Sequence, residues 1–139
     1  MKRLTPNMAV KNVRETVEYY VENFGFTIAM AVSEDRSAIG NTLAEDKEYV
    51  WANIMHGEVG FMFQRADILR ADIGDFFSDL GASSTYYIEV EDVDALYEKI
   101  KHQVEILKPI EDVWYGAREF YVRDCNGYVL GFSMMLARE

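Results

Sequence analysis

Two runs near the C-terminus, Phe120 to Arg123 and Tyr128 to Phe132, alternate apolar and polar residues around the pair Asn126-Gly127. Alternation with a period of two sends successive side chains to opposite faces of a strand, and Asn-Gly accepts the positive φ angles of a tight turn, so this segment predicts a β-hairpin. Tyr49 to Gln64 repeats the plan with a turn at His56-Gly57, which aligns Gly57 with Gly127. Elsewhere the period lengthens. Val13, Val17, Tyr20, Val21 and Phe24 recur at helical spacing behind Asn12, an N-cap with Glu15 three residues on, and Gly25 supplies the stop. A second helix begins behind the cap Asp92 and carries Val93, Leu96, Tyr97, Ile100 and Val104 on one face. Strands are predicted over Leu4–Val10, Phe26–Val32, Tyr86–Val90 and Val104–Ile110, the last interrupted by Pro109.

These patterns occur twice in the same order. Met8-Ala9-Val10-Lys11-Asn12-Val13 falls on Ile88-Glu89-Val90-Glu91-Asp92-Val93, and Val13, Val17 and Tyr20 fall on Val93, Tyr97 and Ile100. Each half therefore reads strand, helix, strand, strand, strand, and the agreement of helical period, cap and turn argues for duplication where few identities would not. One domain over residues 1–139 is expected, built of modules of about 1–64 and 85–139. The linker 65–84, with Phe76 and Phe77, reads as short helical turns, and the polar stretch Ser33 to Lys47 as a mobile loop over a cavity.

Composition narrows the function classes. A hydrophobic fraction of 50% in 139 residues fills the core of one domain. The net charge of −10 and the pI near 4.6 argue against nucleic-acid binding, which needs clustered Lys and Arg. No apolar run reaches the roughly 20 residues that span a bilayer, and the N-terminus lacks the apolar stretch of a signal peptide. A cytoplasmic protein is expected, in agreement with a single cysteine, Cys125, that has no internal partner.

The opening TPNMAVKNVRETVEYYVENFGF, the central YIEVEDVDALYEKI and the closing REFYVRDCNGYVLGF together resemble the vicinal oxygen chelate superfamily, which includes glyoxalase I, bleomycin resistance proteins, fosfomycin resistance enzymes and extradiol dioxygenases. The closing phrase carries most of the resemblance, through its Asp-x-x-Gly-Tyr turn before the last strand. The resemblance implies an α+β fold of tandem βαβββ modules, with curved mixed sheets around a cavity, and a homodimer. It also implies where a metal would be held in metal-dependent members: by two residues near the starts of the first strands, here Thr5 and Thr85, and two in the last strands, here Phe61 and Gly131. Phenylalanine and glycine offer no donor and a threonine hydroxyl is a weak ligand, so neither a metal nor another cofactor is expected.

The other chemistry-bearing residues have plain structural roles at this level. His56 lies in a turn and His102 near the end of a polar helix; Glu89 and Glu91 flank Val90 in a strand; Glu58, Glu119 and Asp124 flank turns, and no acid/base pair is evident. What remains is aromatic: Trp51, Phe61, Phe63, Trp114, Tyr115, Phe120, Tyr121 and Phe132. Trp114 and Tyr115, at a loop tip before Gly116, are hard to bury locally and suit stacking on a planar ligand or a second subunit. The expected binding residues are Trp51, Phe61, Phe63, Trp114, Tyr115 and Gly131, with no catalytic residue. The expected function is metal-free sequestration of a partly aromatic compound, a cationic one being favoured by the acidic balance. The alternatives are a glyoxalase-like lyase or isomerase, or a dioxygenase, with displaced metal ligands, and an interaction module whose aromatic tips serve only the dimer.

Overall fold

A computed structural model describes residues 2–137, and the chain divides into two compact units, Met1–Leu80 and Gly81–Glu139. The first runs β1 (Asn7–Val10), α1 (Val13–Phe24), β2 (Thr27–Ser33), β3 (Ile39–Gly40), β4 (Tyr49–His56), β5 (Val59–Arg65) and α2 (Ala66–Ile73). Its sheet has the order β1-β5-β4-β2-β3; β1 lies parallel to β5 and the other pairs are antiparallel. The second runs β6 (Thr85–Glu89), α3 (Val93–Ile100), β7 (Glu105–Asp112), β8 (Ala117–Arg123) and β9 (Val129–Met135), in the order β6-β9-β8-β7 with β6 parallel to β9. The fold is α+β with two mixed sheets, and each unit is a βαβββ module with the same strand order, the first adding the two-residue β3 and α2.

The helix signals act as the chemistry requires. Glu15 N donates to Asn12 Oδ1 at 3.0 Å and Ala95 N to Asp92 Oδ1 at 3.0 Å, each satisfying an amide that the helix leaves unpaired. Gly25, at φ 74°, closes α1 in the left-handed conformation that glycine tolerates best. Below α1, Tyr20 packs with ring centroids 4.9 Å from Phe63, 5.3 Å from Phe24, 5.7 Å from Phe26 and 5.8 Å from Phe61. In the second unit Tyr97 of α3 meets Phe120 at 5.0 Å, and Phe120 stacks on Phe132 at 5.4 Å. One face of each sheet is thus covered by its helix, and Val21, expected on the apolar face of α1, lies exposed at its margin.

Three segments differ from expectation. The polar stretch after β2 is tied down: Asp35 accepts hydrogen bonds from Lys47 Nζ, Ser33 Oγ and both the amide and hydroxyl of Ser37 at 2.7–3.0 Å, while Arg14 of α1 donates to the carbonyls of Ala44 and Lys47. The linker contains a regular helix, α2, which belongs to the first unit; Leu69 is its buried residue. Strand β7 continues through Pro109, which is tolerated because β7 is an edge strand and its pairing with β8 shifts register between Lys108 and Glu111. Among the described residues no helix is long and apolar enough to cross a membrane.

Phe63 is fully buried under α1. Phe63→Ala is expected to lower unfolding stability by about 3–5 kcal/mol, the usual cost of emptying a buried aromatic site, measurable as a shift in a urea midpoint.

Candidate functional site

Strand alternation leaves each sheet a second face, directed away from its helix. In the second unit Phe120, Val122, Leu130 and Phe132 point toward α3, so Glu119, Tyr121, Gly131 and Ser133 point away from it, as does Tyr87 of β6, which pairs with Gly131. Glu119 is the centre of this face. It is 2% exposed, a setting in which a lone carboxylate would be costly. Tyr87 Oη donates to Glu119 Oε2 at 2.5 Å, and Tyr115 Oη donates to Oε1. Hydrogen bonds of this charge-assisted kind are stronger than neutral ones and offset the desolvation.

The turn between β7 and β8 positions Tyr115. Gly116 N donates to Val113 O at 3.0 Å and Val113 N to Ala117 O at 2.9 Å, with Gly116 at φ 86°, and this folds Tyr115 back over β8. Trp114 remains outside, 94% exposed, its ring 5.3 Å from that of Tyr115. Tyr87 and Tyr115 thus converge on the one carboxylate, with Tyr121 on the same face of β8. The bond to Glu119 holds the Tyr115 phenol well above the ordinary tyrosine range. Burial, then Glu119, raises Tyr87 and Tyr121 as well. Gly131 has a steric role here. A Cβ at this position would lie 2.6 Å from Tyr121 Cε1, so the missing side chain is the seat on which the Tyr121 ring rests.

In the first unit the face away from α1 holds Asn7, Trp51, Asn53, Met62 and Gln64. Asn7 Nδ2 donates to Gln64 Oε1 at 3.0 Å, and Gln64 Nε2 to Asp72 Oδ2 of α2 at 2.6 Å. Trp51, half-buried, pairs with Gln64. The side-chain amide oxygen of Asn53, Oδ1, is buried with no hydrogen-bond partner among the described residues, which costs about 1–3 kcal/mol and which an incoming donor would relieve.

The residues expected to bind ligand thus separate. Tyr115 bonds Glu119, Trp114 lies beside Tyr115, Gly131 seats Tyr121 on the same face, and Trp51 lies on the corresponding face of the first sheet. Phe61 and Phe63 are 2% and 0% exposed on the opposite face, packed against Tyr20, so their rings serve the core. The alignment of Gly57 with Gly127 puts Phe61 one residue out of register. The first hairpin turns through Gly57 and Glu58, whereas the second uses residues 124–128, in which Asp124 Oδ1 accepts from Asn126 N and Tyr128 N at 2.8 Å. Counted from the parallel pairs, Met62 stands opposite Asn7 as Gly131 stands opposite Tyr87. Thr5 precedes β1, and Thr85 opens β6 opposite Val129. The sequence presents Glu119 only as a residue flanking a turn and Tyr87 only as part of a strand; the signal that marks the face is the phase of β8, where a charged residue takes the same alternation as Tyr121, opposite to that of Phe120.

On the first sheet the paired positions hold an amide (Asn7) and a thioether (Met62), and on the second a phenol (Tyr87) and a glycine (Gly131). Neither pair suits a divalent cation, and no group of three or more His, Cys, Asp or Glu among the described residues could hold a metal.

The sequence model of the Glyoxalase/Bleomycin resistance protein/Dioxygenase superfamily matches residues 3–132. No curated protein matches. Among solved structures the chain is similar to a protein of unknown function from Agrobacterium tumefaciens str. C58, with 21% identity, TM-score 0.73, and 98% of this chain and 95% of that one covered. It is similar to a glyoxalase-related enzyme from Fulvimarina pelagi, with 14% identity, TM-score 0.70, and 96% and 88% covered. It is also similar to the bleomycin-binding protein from bleomycin-producing Streptomyces verticillus, solved with copper(II)-bleomycin, with 24% identity, TM-score 0.58, and 100% and 99% covered.

Because Tyr87, Tyr115 and Tyr121 hold their protons above the ordinary phenol value of 10.0, the folded state binds more protons than the unfolded chain once the pH passes that value. Stability from these groups is therefore complete below pH 10 and lost as the pH rises beyond it. In an alkaline absorbance titration of the nine tyrosines, a late-titrating set is expected in the wild type. It should move toward the ordinary range in Glu119→Gln.

Proposed function

Because the chain belongs to the glyoxalase/bleomycin resistance protein/dioxygenase superfamily, we propose that it is a metal-free binding protein of the bleomycin-resistance type. In this reading it sequesters a partly aromatic, cationic small molecule without changing it chemically. The observation that carries the proposal is the face around Glu119, where the positions of the family's metal donors give way to a seated tyrosine ring and a cluster of phenols. Planar groups of a ligand would be buried against Tyr87, Tyr121 and the Trp114-Tyr115 tip. The net charge of −10 adds attraction for a cationic compound. The reading includes a homodimer and a cytoplasmic location.

Titration with metal-free and copper-loaded bleomycin-type glycopeptides, followed by tryptophan fluorescence and calorimetry, tests it. Quenching that saturates and is reduced in Trp114→Ala is the expected outcome. No quenching and no heat at high micromolar glycopeptide would remove that compound class. Stoichiometric Zn, Ni, Mn or Fe in the purified protein would favour a metal-dependent lyase, isomerase or dioxygenase instead.

A further inference from the structure

We propose that Glu119 is the seat of an amidinium or guanidinium group on the bound compound, and that Tyr115 occupies this seat until the cation displaces it. The proposal deepens the binding reading above and rests on it. A carboxylate offers about four acceptor positions on two oxygens. Glu119 uses one on Oε2 for Tyr87 and one on Oε1 for Tyr115. The two donors differ in how they are held. Tyr87 sits within β6, which pairs with β9 along its whole length from Thr85 to Glu89. Tyr115 sits on a four-residue turn beside the solvent-exposed Trp114. Tyr115 is therefore the partner that can leave, and its hydroxyl stands where a ligand N–H would stand.

The surroundings favour a planar cation. The ring of Tyr121 rests against the backbone at Gly131, a flat aromatic floor next to the carboxylate, and amidinium and guanidinium groups both stack on such rings and present paired N–H donors to a carboxylate. The cations on this face are already committed: Lys108 pairs with Glu111 at 2.5 Å and Arg123 with Glu105 at 3.2 Å. Arg118 is held by Asp94 and Asp112. Glu89, on the same face of β6 and opposite Ser133, adds negative charge. An incoming cation thus finds a carboxylate whose present donors are neutral phenols.

The test uses the full chain and two probes of nearly equal shape, benzamidine and neutral benzamide, followed by ligand-observed NMR and calorimetry, with a bleomycin-type glycopeptide measured alongside. Wild type should bind benzamidine about tenfold or more tightly than benzamide, a difference of about 1.4 kcal/mol. Glu119→Gln should abolish the preference. Tyr115→Phe, which removes the competing donor but keeps the ring, should tighten benzamidine by about threefold or more. A merely structural Glu119-Tyr115 bond would give the opposite sign in Tyr115→Phe. That variant and the wild-type preference decide the matter even if Glu119→Gln folds poorly. Equal binding of the two probes while the glycopeptide still binds overturns the cation seat and leaves the binding reading standing. Failure of the glycopeptide and of both probes overturns the binding reading and the cation seat with it. A dimer that Glu119→Gln weakens, with no preference between the probes, assigns this face to a second copy of the chain and overturns the proposal.

Discussion

Register is the constraint on which the rest of this structure depends. In a sheet with one face under a helix, shifting a strand by a single residue exchanges every buried side chain for an exposed one. The aromatic packing of Phe61 and Phe63 on Tyr20, and of Phe120 and Phe132 below Tyr97, fixes that choice in each unit. Once those rings are committed to the helix side, Met62, Gly131, Glu119 and Tyr121 have no alternative to the other face. The chemistry of the protein is what the core leaves over.

The fold was largely legible because its signals are local and redundant. Asn12 and Asp92 cap their helices through the bonds their spacing implies, and Gly25 ends α1 at the left-handed angle expected of it. The site was less legible, for two physical reasons. Hairpin loops of different length share the same turn glycine, so Gly57 and Gly127 align although the strands after them are out of step by one residue relative to β1 and β6. Phe61 was therefore read as facing a cavity when it faces α1. Glu119 was read as a residue flanking a turn because its two phenol partners come from β6 and from the turn before β8, and the contact with Tyr87 spans 32 positions of the chain. No local pattern records that meeting.

The same distinction separates what is inherited from what is particular to this chain. Family membership follows from a match over residues 3–132, while identities of 14–24% to the solved relatives carry the fold and nothing finer. The particular features are steric and electrostatic. In the first sheet Asn7 and Met62 offer an amide and a thioether, and in the second Tyr87 and Gly131 offer a phenol and no side chain, neither of which suits a divalent cation.

Gly131 links these two levels. A glutamate there would need the space in which Tyr121 lies, since even a Cβ would come within 2.6 Å of its ring. A carboxylate on β9 at that point and an aromatic floor from β8 are therefore competing uses of one location. This chain has the floor, and its buried carboxylate stands one strand over, at Glu119, where the donors it meets are hydroxyls. A carboxylate surrounded by phenols is poorly suited to gathering the several anionic or imidazole ligands that a metal requires, and well suited to exchanging one neutral donor for a charged one.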